Sequence, residues 1–125
     1  MVRKTNQPKA SARISTAFTV LLEQQFPVSA HRPIKMRSAS QFADSLNIHV
    51  NHLNRAVKAT LAKTTTQVIS ERILKEAKVL LRNRSKSITE IAYALGFTEP
   101  THFNNFFQKH LRISPTKFRG DAPLE

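Results

Sequence analysis

Apolar residues recur at three- and four-residue spacing along most of the chain, and strict alternation is scarce, so the pattern predicts helices rather than strands. Ile14, Ala17, Phe18, Leu21, Leu22 and Phe26 form the first apolar stripe, a helix over 12–26 stopped by Pro27. Residues 27–37 read as a connector with two prolines. Residues 1–11 are polar, basic and aperiodic, and read as a flexible tail. Ser38 followed by Gln41 has the spacing of a capping box and opens a short helix burying Phe42, Ala43 and Leu46. After a break at Asn47-Ile48, a helix is expected over about 50–61. Thr64 and Gln67 open a longer one to about Arg82, with Ile69, Ile73, Ala77, Leu80 and Leu81 inward and a Glu71–Lys75 pair outside.

The pattern then returns. Ser87 and Glu90 form another box, Ile91, Ala92 and Leu95 take the places of Phe42, Ala43 and Leu46, and Gly96 turns the chain. A helix over about 99–111, with Pro100 in its first turn, buries Phe103, Phe106, Phe107, His110 and Leu111. Ser114-Pro115 starts a last short helix through Phe118, and 120–125 read as a tail. Phe42 to Ile48 matches Ile91 to Phe97 at an offset of 49, and Leu53 to Lys58 matches Phe103 to Gln108 at an offset of 50. Each copy is a short helix, a tight turn and a longer helix, the helix-turn-helix plan. The matched apolar positions by themselves fit two ordinary helical hairpins equally well.

The polar positions discriminate. Asn51, Asn54, Arg55 and Lys58 stand at i, i+3, i+4 and i+7 on the helix after the first turn. Thr101, Asn104, Asn105 and Gln108 repeat that spacing after the second. Neither stripe contains a carboxylate, whereas a face selected only for solvation usually mixes in Glu. Asn pairs bidentately with adenine and Arg with guanine in the major groove. Charge points the same way: the 125 residues carry 20 Lys and Arg against 8 Asp and Glu, a net +12, which favours a polyanionic partner.

Other chemistries have little to work with. The absence of Cys removes disulfides, thiolate metal sites and a thiol nucleophile. No apolar run approaches the roughly 20 residues that span a bilayer, and no secretory signal is visible. The expected location is therefore the cytoplasm, at the nucleoid. His49 and His52 have the spacing of two metal ligands but lack a third nearby in sequence. No catalytic constellation or phosphate-cradling glycine loop appears. The chain reads as no enzyme, with no metal and no cofactor.

With these residues in view, the chain resembles the AraC family of bacterial transcription regulators. The resemblance rests on Ser87 to Phe97, on His102 to Lys109, and on Ile113-Ser114-Pro115-Thr116-Lys117-Phe118-Arg119. A weaker first half runs from Gln41 to Ala77 and includes Glu71-Arg72-Ile73-Leu74-Lys75-Glu76-Ala77. The resemblance implies an all-α, homeodomain-like domain of about seven helices. Its first helix-turn-helix would occupy 38–64, a linker helix region 65–86, and the second helix-turn-helix with the last helix 87–119, preceded by the first helix and connector at 12–37. It implies double-stranded DNA as partner and two recognition helices reading successive major-groove segments. Carried over by position, Asn51, Asn54, Arg55, Thr101, Asn104 and Asn105 are expected at bases. Lys58, Gln108 and Lys109 are expected at phosphates, with Ser87 and Thr98 offering helix N-termini.

Two departures bear on this. Family members commonly have Gly where Ala62 and Arg112 stand, and many have Arg where Asn105 stands, so the first unit is expected to dominate base readout. The residues before the first unit leave no room for an effector or dimerisation domain. The chain is expected to be a small stand-alone regulator or, as Leu21 to Pro27 favours, the C-terminal part of a larger one. RNA polymerase is a second candidate partner, and a membrane is not expected. The rival readings are a nonspecific basic nucleic-acid binder and a fragment that acts as an interaction module.

Overall fold

The computed structural model describes residues 2–121, with side chains over 9–120; the outer ends of both predicted tails, Met1 and 122–125, lie outside the described residues. Among the described residues the chain forms α1 (Val2–Glu23), α2 (Ala39–Ser45), α3 (Val50–Leu61), α4 (Thr65–Arg82), α5 (Ile88–Ala94), α6 (Pro100–Leu111) and α7 (Pro115–Asp121). The only β pairing among them is an isolated bridge between Ser29 and Arg32. Three of the helices start at boxes with both reciprocal bonds. Gln41 N–H donates to Ser38 Oγ and Glu90 N–H to Ser87 Oγ, while each partner side chain accepts from the cap backbone. Thr64 and Gln67 repeat this before α4.

Two compact units share the chain. The first contains the residues up to Phe26 and Met36–Glu71; the second contains Pro27–Lys35 and the chain from Arg72 onward. In the first unit, α1 packs on α3 and α2. Ser15 sits in the contact and donates to the Ala56 carbonyl at 3.1 Å, an approach that the small Ala56 permits. Phe18 meets Phe42 edge-on at 5.2 Å, and Leu22, Leu53 and Val57 complete this core. Gln25 bonds both backbone groups of Met36, its amide donating at 2.9 Å and its carbonyl accepting at 2.7 Å. That side chain thereby closes the excursion 27–35.

Of the residues read as a connector, Met36 and Arg37 belong to the first unit, while Pro27–Lys35 are part of the second. Val28 and Ile34 are buried there, and Ile34 N–H donates to the Ala94 carbonyl at 2.8 Å. Val28 N–H donates at 2.9 Å to the carboxylate of Glu76, a buried acid that also faces Arg72 at 3.5 Å. A chain of aromatics, Phe97 to Phe103 to Phe107 to Phe118, with centroids 5.5–5.8 Å apart, fills the space between α5, α6 and α7. Arg119 reaches from α7 to the open end of α4 and donates to the carbonyls of Leu81 (2.8 Å) and Asn83 (3.2 Å).

Several expectations need correction. Residues 2–11, read as a tail, are helical: α1 starts at Val2 rather than Ala12 and ends at Glu23, with Phe26 buried in the turn that follows. Once Ser15, Phe18 and Leu22 are packed, each residue added upstream gains a backbone bond without a new nucleation cost. Apolar periodicity does not register an extension gained by such propagation. α7 likewise continues past Phe118 to Asp121. His110 is exposed and stacks edge-on against Phe106 at 4.8 Å. Glu71 pairs at 2.7 Å with Lys63, which precedes the helix, rather than with Lys75.

Candidate nucleic-acid interface

The two turns that aim α3 and α6 have the same construction. Ile48 N–H donates to the Ala43 carbonyl, and Phe97 N–H to the Ala92 carbonyl, both at 3.0 Å. The residue before each takes a left-handed backbone: Asn47 at φ 59° and Gly96 at φ 87°. Glycine does this without a Cβ penalty, and Asn is among the side chains that tolerate it best. Ala43 and Ala92, both buried, let each short helix lie close to its turn.

Burial then decides which residues of each long helix face outward. Leu53, Ala56 and Val57 are buried on α3 and Phe103 and Phe107 on α6. Asn51, Asn54, Arg55 and Lys58 are all exposed on α3. On α6, Thr101, Asn105, Gln108 and Lys109 are exposed, whereas Asn104 is half-buried. Each stripe thus lies on one continuous side of its own helix, and neither helix contains a carboxylate. The second stripe presents less polar reach than the first because Asn104 is partly withdrawn.

The helix ends differ from a simple pattern. His49 caps α3 through Nδ1, which accepts the Asn51 N–H at 3.1 Å. Sequence inspection passes over it because Ser, Thr, Asp and Asn are the usual N-caps. Glu99 precedes α6 without a side-chain cap, and Pro100, which has no N–H to satisfy, takes the first position. Ala62 and Arg112 close α3 and α6 at φ 59° and 62°, with bonds back to the Lys58 and Gln108 carbonyls.

Thr98 is exposed ahead of α6, while Ser87 is engaged in its own helix. The Ser87 N–H already donates to the Glu90 carboxylate at 2.7 Å. Bonds from the Ser87 backbone and hydroxyl region hold the Glu90 carboxyl below its ordinary range. Among the described residues, no three His, Asp or Glu side chains converge as metal ligands, and no helix is long and apolar enough to cross a membrane.

Comparison with known proteins gives concordant results. A family model described as a helix-turn-helix domain matches residues 42–121. The HTH-type transcriptional activator RhaS of Escherichia coli, in strains including O1:K1 / APEC and K12 / DH10B, is 31% identical over 77 residues. That match takes in 62% of this chain, and the chain spans only 28% of the length of those relatives. A transcriptional regulator structure from Chromobacterium violaceum, described as AraC-type DNA-binding domain-containing, has a TM-score of 0.67 and 27% identity, covering 90% of this chain and 94% of the other. The C-terminal domain of AraT, a response regulator from Geobacillus stearothermophilus, has a TM-score of 0.76 at 20% identity, covering 90% and 88%, a likeness of fold.

Proposed function

This chain belongs to the AraC-type helix-turn-helix family of DNA-binding transcription regulators, and from that premise we propose that it reads a bipartite DNA site with α3 and α6. The observation that carries the reading is the pair of carboxylate-free stripes, each beside the buried face of a helix set by the same turn. Asn51, Asn54 and Arg55 contact bases in the first segment, and Thr101, Asn104 and Asn105 in the second. Lys58, Gln108 and Lys109 grip phosphates, which fix register without reading sequence. One turn of DNA is about 34 Å, so the two blocks read by one chain lie about 10 bp apart. Base readout is stronger in the first block, where Arg55 offers a bidentate donor and every stripe residue is exposed. Occupancy of such sites regulates transcription, with RNA polymerase as the second partner.

The test contrasts two neighbours on α3, using duplexes enriched from a random pool. Arg55→Ala is expected to cost about 1–3 kcal/mol on the enriched duplex and to relax one base position. Lys58→Ala is expected to weaken binding to all duplexes alike and to flatten the salt dependence by about one unit of log K per log salt. Equal losses of Arg55→Ala on enriched and unrelated duplexes would show a purely electrostatic binder.

A further inference from the structure

Ala10 and Ser11 bring α1 beside one flank of α3, and an open trough of about 560 Å³ runs between them. Ala10 and Ser11 line one wall; His52, Arg55, Lys58 and Ala59 line the other. The trough shares Arg55 with the base-reading residues of α3 and Lys58 with its phosphate contacts, so it borders the reading face directly. Its electrostatics are one-signed. Arg55 and Lys58 are its charged lining residues, no lining residue is acidic, and α3 contains no acid. The small side chains of Ala10 and Ala59 leave the trough open. Ser11 and His52 bring a hydroxyl and an imidazole N–H, both able to donate to a phosphate oxygen.

We propose that this trough holds one phosphodiester strand of the bound duplex, making Ser11 and His52 DNA-backbone contacts and α1 a part of the DNA-binding surface. The proposal rests on the DNA-reading function above and extends it to a helix that base-reading arguments leave out. A strand bordering the major groove lies alongside any helix seated in that groove. Here the flank it would meet is cationic on the α3 side and carries donors on both walls. Contacts of this kind set the register of α3 and contribute affinity without sequence preference.

The test uses the full chain and a duplex it has enriched, with single phosphates replaced by neutral methylphosphonates. Neutralising one or two phosphates beside the first block is expected to weaken the wild type severalfold. His52→Ala and Ser11→Ala are expected to lose sensitivity at those same phosphates while keeping it elsewhere and keeping the sequence preference. Ala59 provides a second, charge-based variant at an exposed helical position. Ala59→Lys should tighten binding and steepen the salt dependence by about one unit, and Ala59→Glu should weaken binding about tenfold or more. Thermal melts of each variant confirm that the fold is retained. An unchanged interference pattern in His52→Ala, with Ala59→Glu binding as the wild type does, overturns the proposal. If the wild type enriches no sequence, base reading fails, but the Ala59 pair on a random duplex still decides the trough. A charge-dependent change there supports it and no change overturns it.

Discussion

Ala62 and Arg112 show how a single backbone angle can set a residue's contribution apart from its contacts. Both occupy the left-handed region at the ends of the reading helices, where an L side chain costs about 1–2 kcal/mol. Ala62→Gly and Arg112→Gly should therefore each stabilise the protein by about 0.5–1 kcal/mol, the strain relief being offset in part by the greater freedom of glycine in the unfolded chain. Urea denaturation measures this, and a loss of stability in either variant would contradict the strain assignment. His49 couples stability to binding with opposite signs. His49→Asp supplies a better N-cap and a charge that suits the helix N-terminus, and should add about 0.5–1 kcal/mol. The same carboxylate would stand at the start of α3, where a phosphate backbone approaches, so DNA affinity should fall. A variant that is more stable and binds DNA unchanged would remove α3 from the interface.

At the scale of elements, α2 and α5 are two versions of one capped helix that differ in how they respond to acid. Gln41 accepts the Ser38 backbone N–H in α2, and Glu90 accepts the Ser87 backbone N–H in α5. Glu90's carboxyl is held below its ordinary range by those Ser87 bonds. Its contribution is therefore complete above the ordinary carboxylate range and is lost as pH falls through the lower, folded-state value. Glu90→Gln, copying α2, should remove that part of the acid sensitivity while retaining the cap. Denaturation curves of the two proteins should converge as the medium is acidified. Curves that stay parallel from neutral to acid pH would show that the cap carries no such linkage.

The elements also show which parts of the fold are legible in the residues. α3 emerges at its full length and α6 to within one residue, Glu99 being its cap, because polar turns, a proline and an apolar stripe bracket them. α1 does not, since its upstream turns are carried by propagation from a packed segment and leave no apolar trace. Residues 27–37 read as a connector from their prolines, yet the Val28 and Ile34 backbone bonds that draw 27–35 into the second unit depend on partners some fifty or sixty residues away. The exposed stripes were legible as positions on a helix. The partial withdrawal of Asn104 and the trough beside α3 were not, because both depend on which neighbouring element packs alongside.

For the whole molecule, a net charge of +12 predicts strong affinity for any duplex at low salt. Charge alone cannot produce preference among duplexes, and the two stripes must supply it. The most direct measurement is selection of bound duplexes from a random 30-bp pool at about 150 mM salt, where nonspecific binding is weakened, followed by sequencing. The account predicts two short enriched blocks about 10 bp apart, with the block read by α3 the more sharply defined. An absence of enriched sequence, or a single block with no second at any fixed spacing, would contradict it.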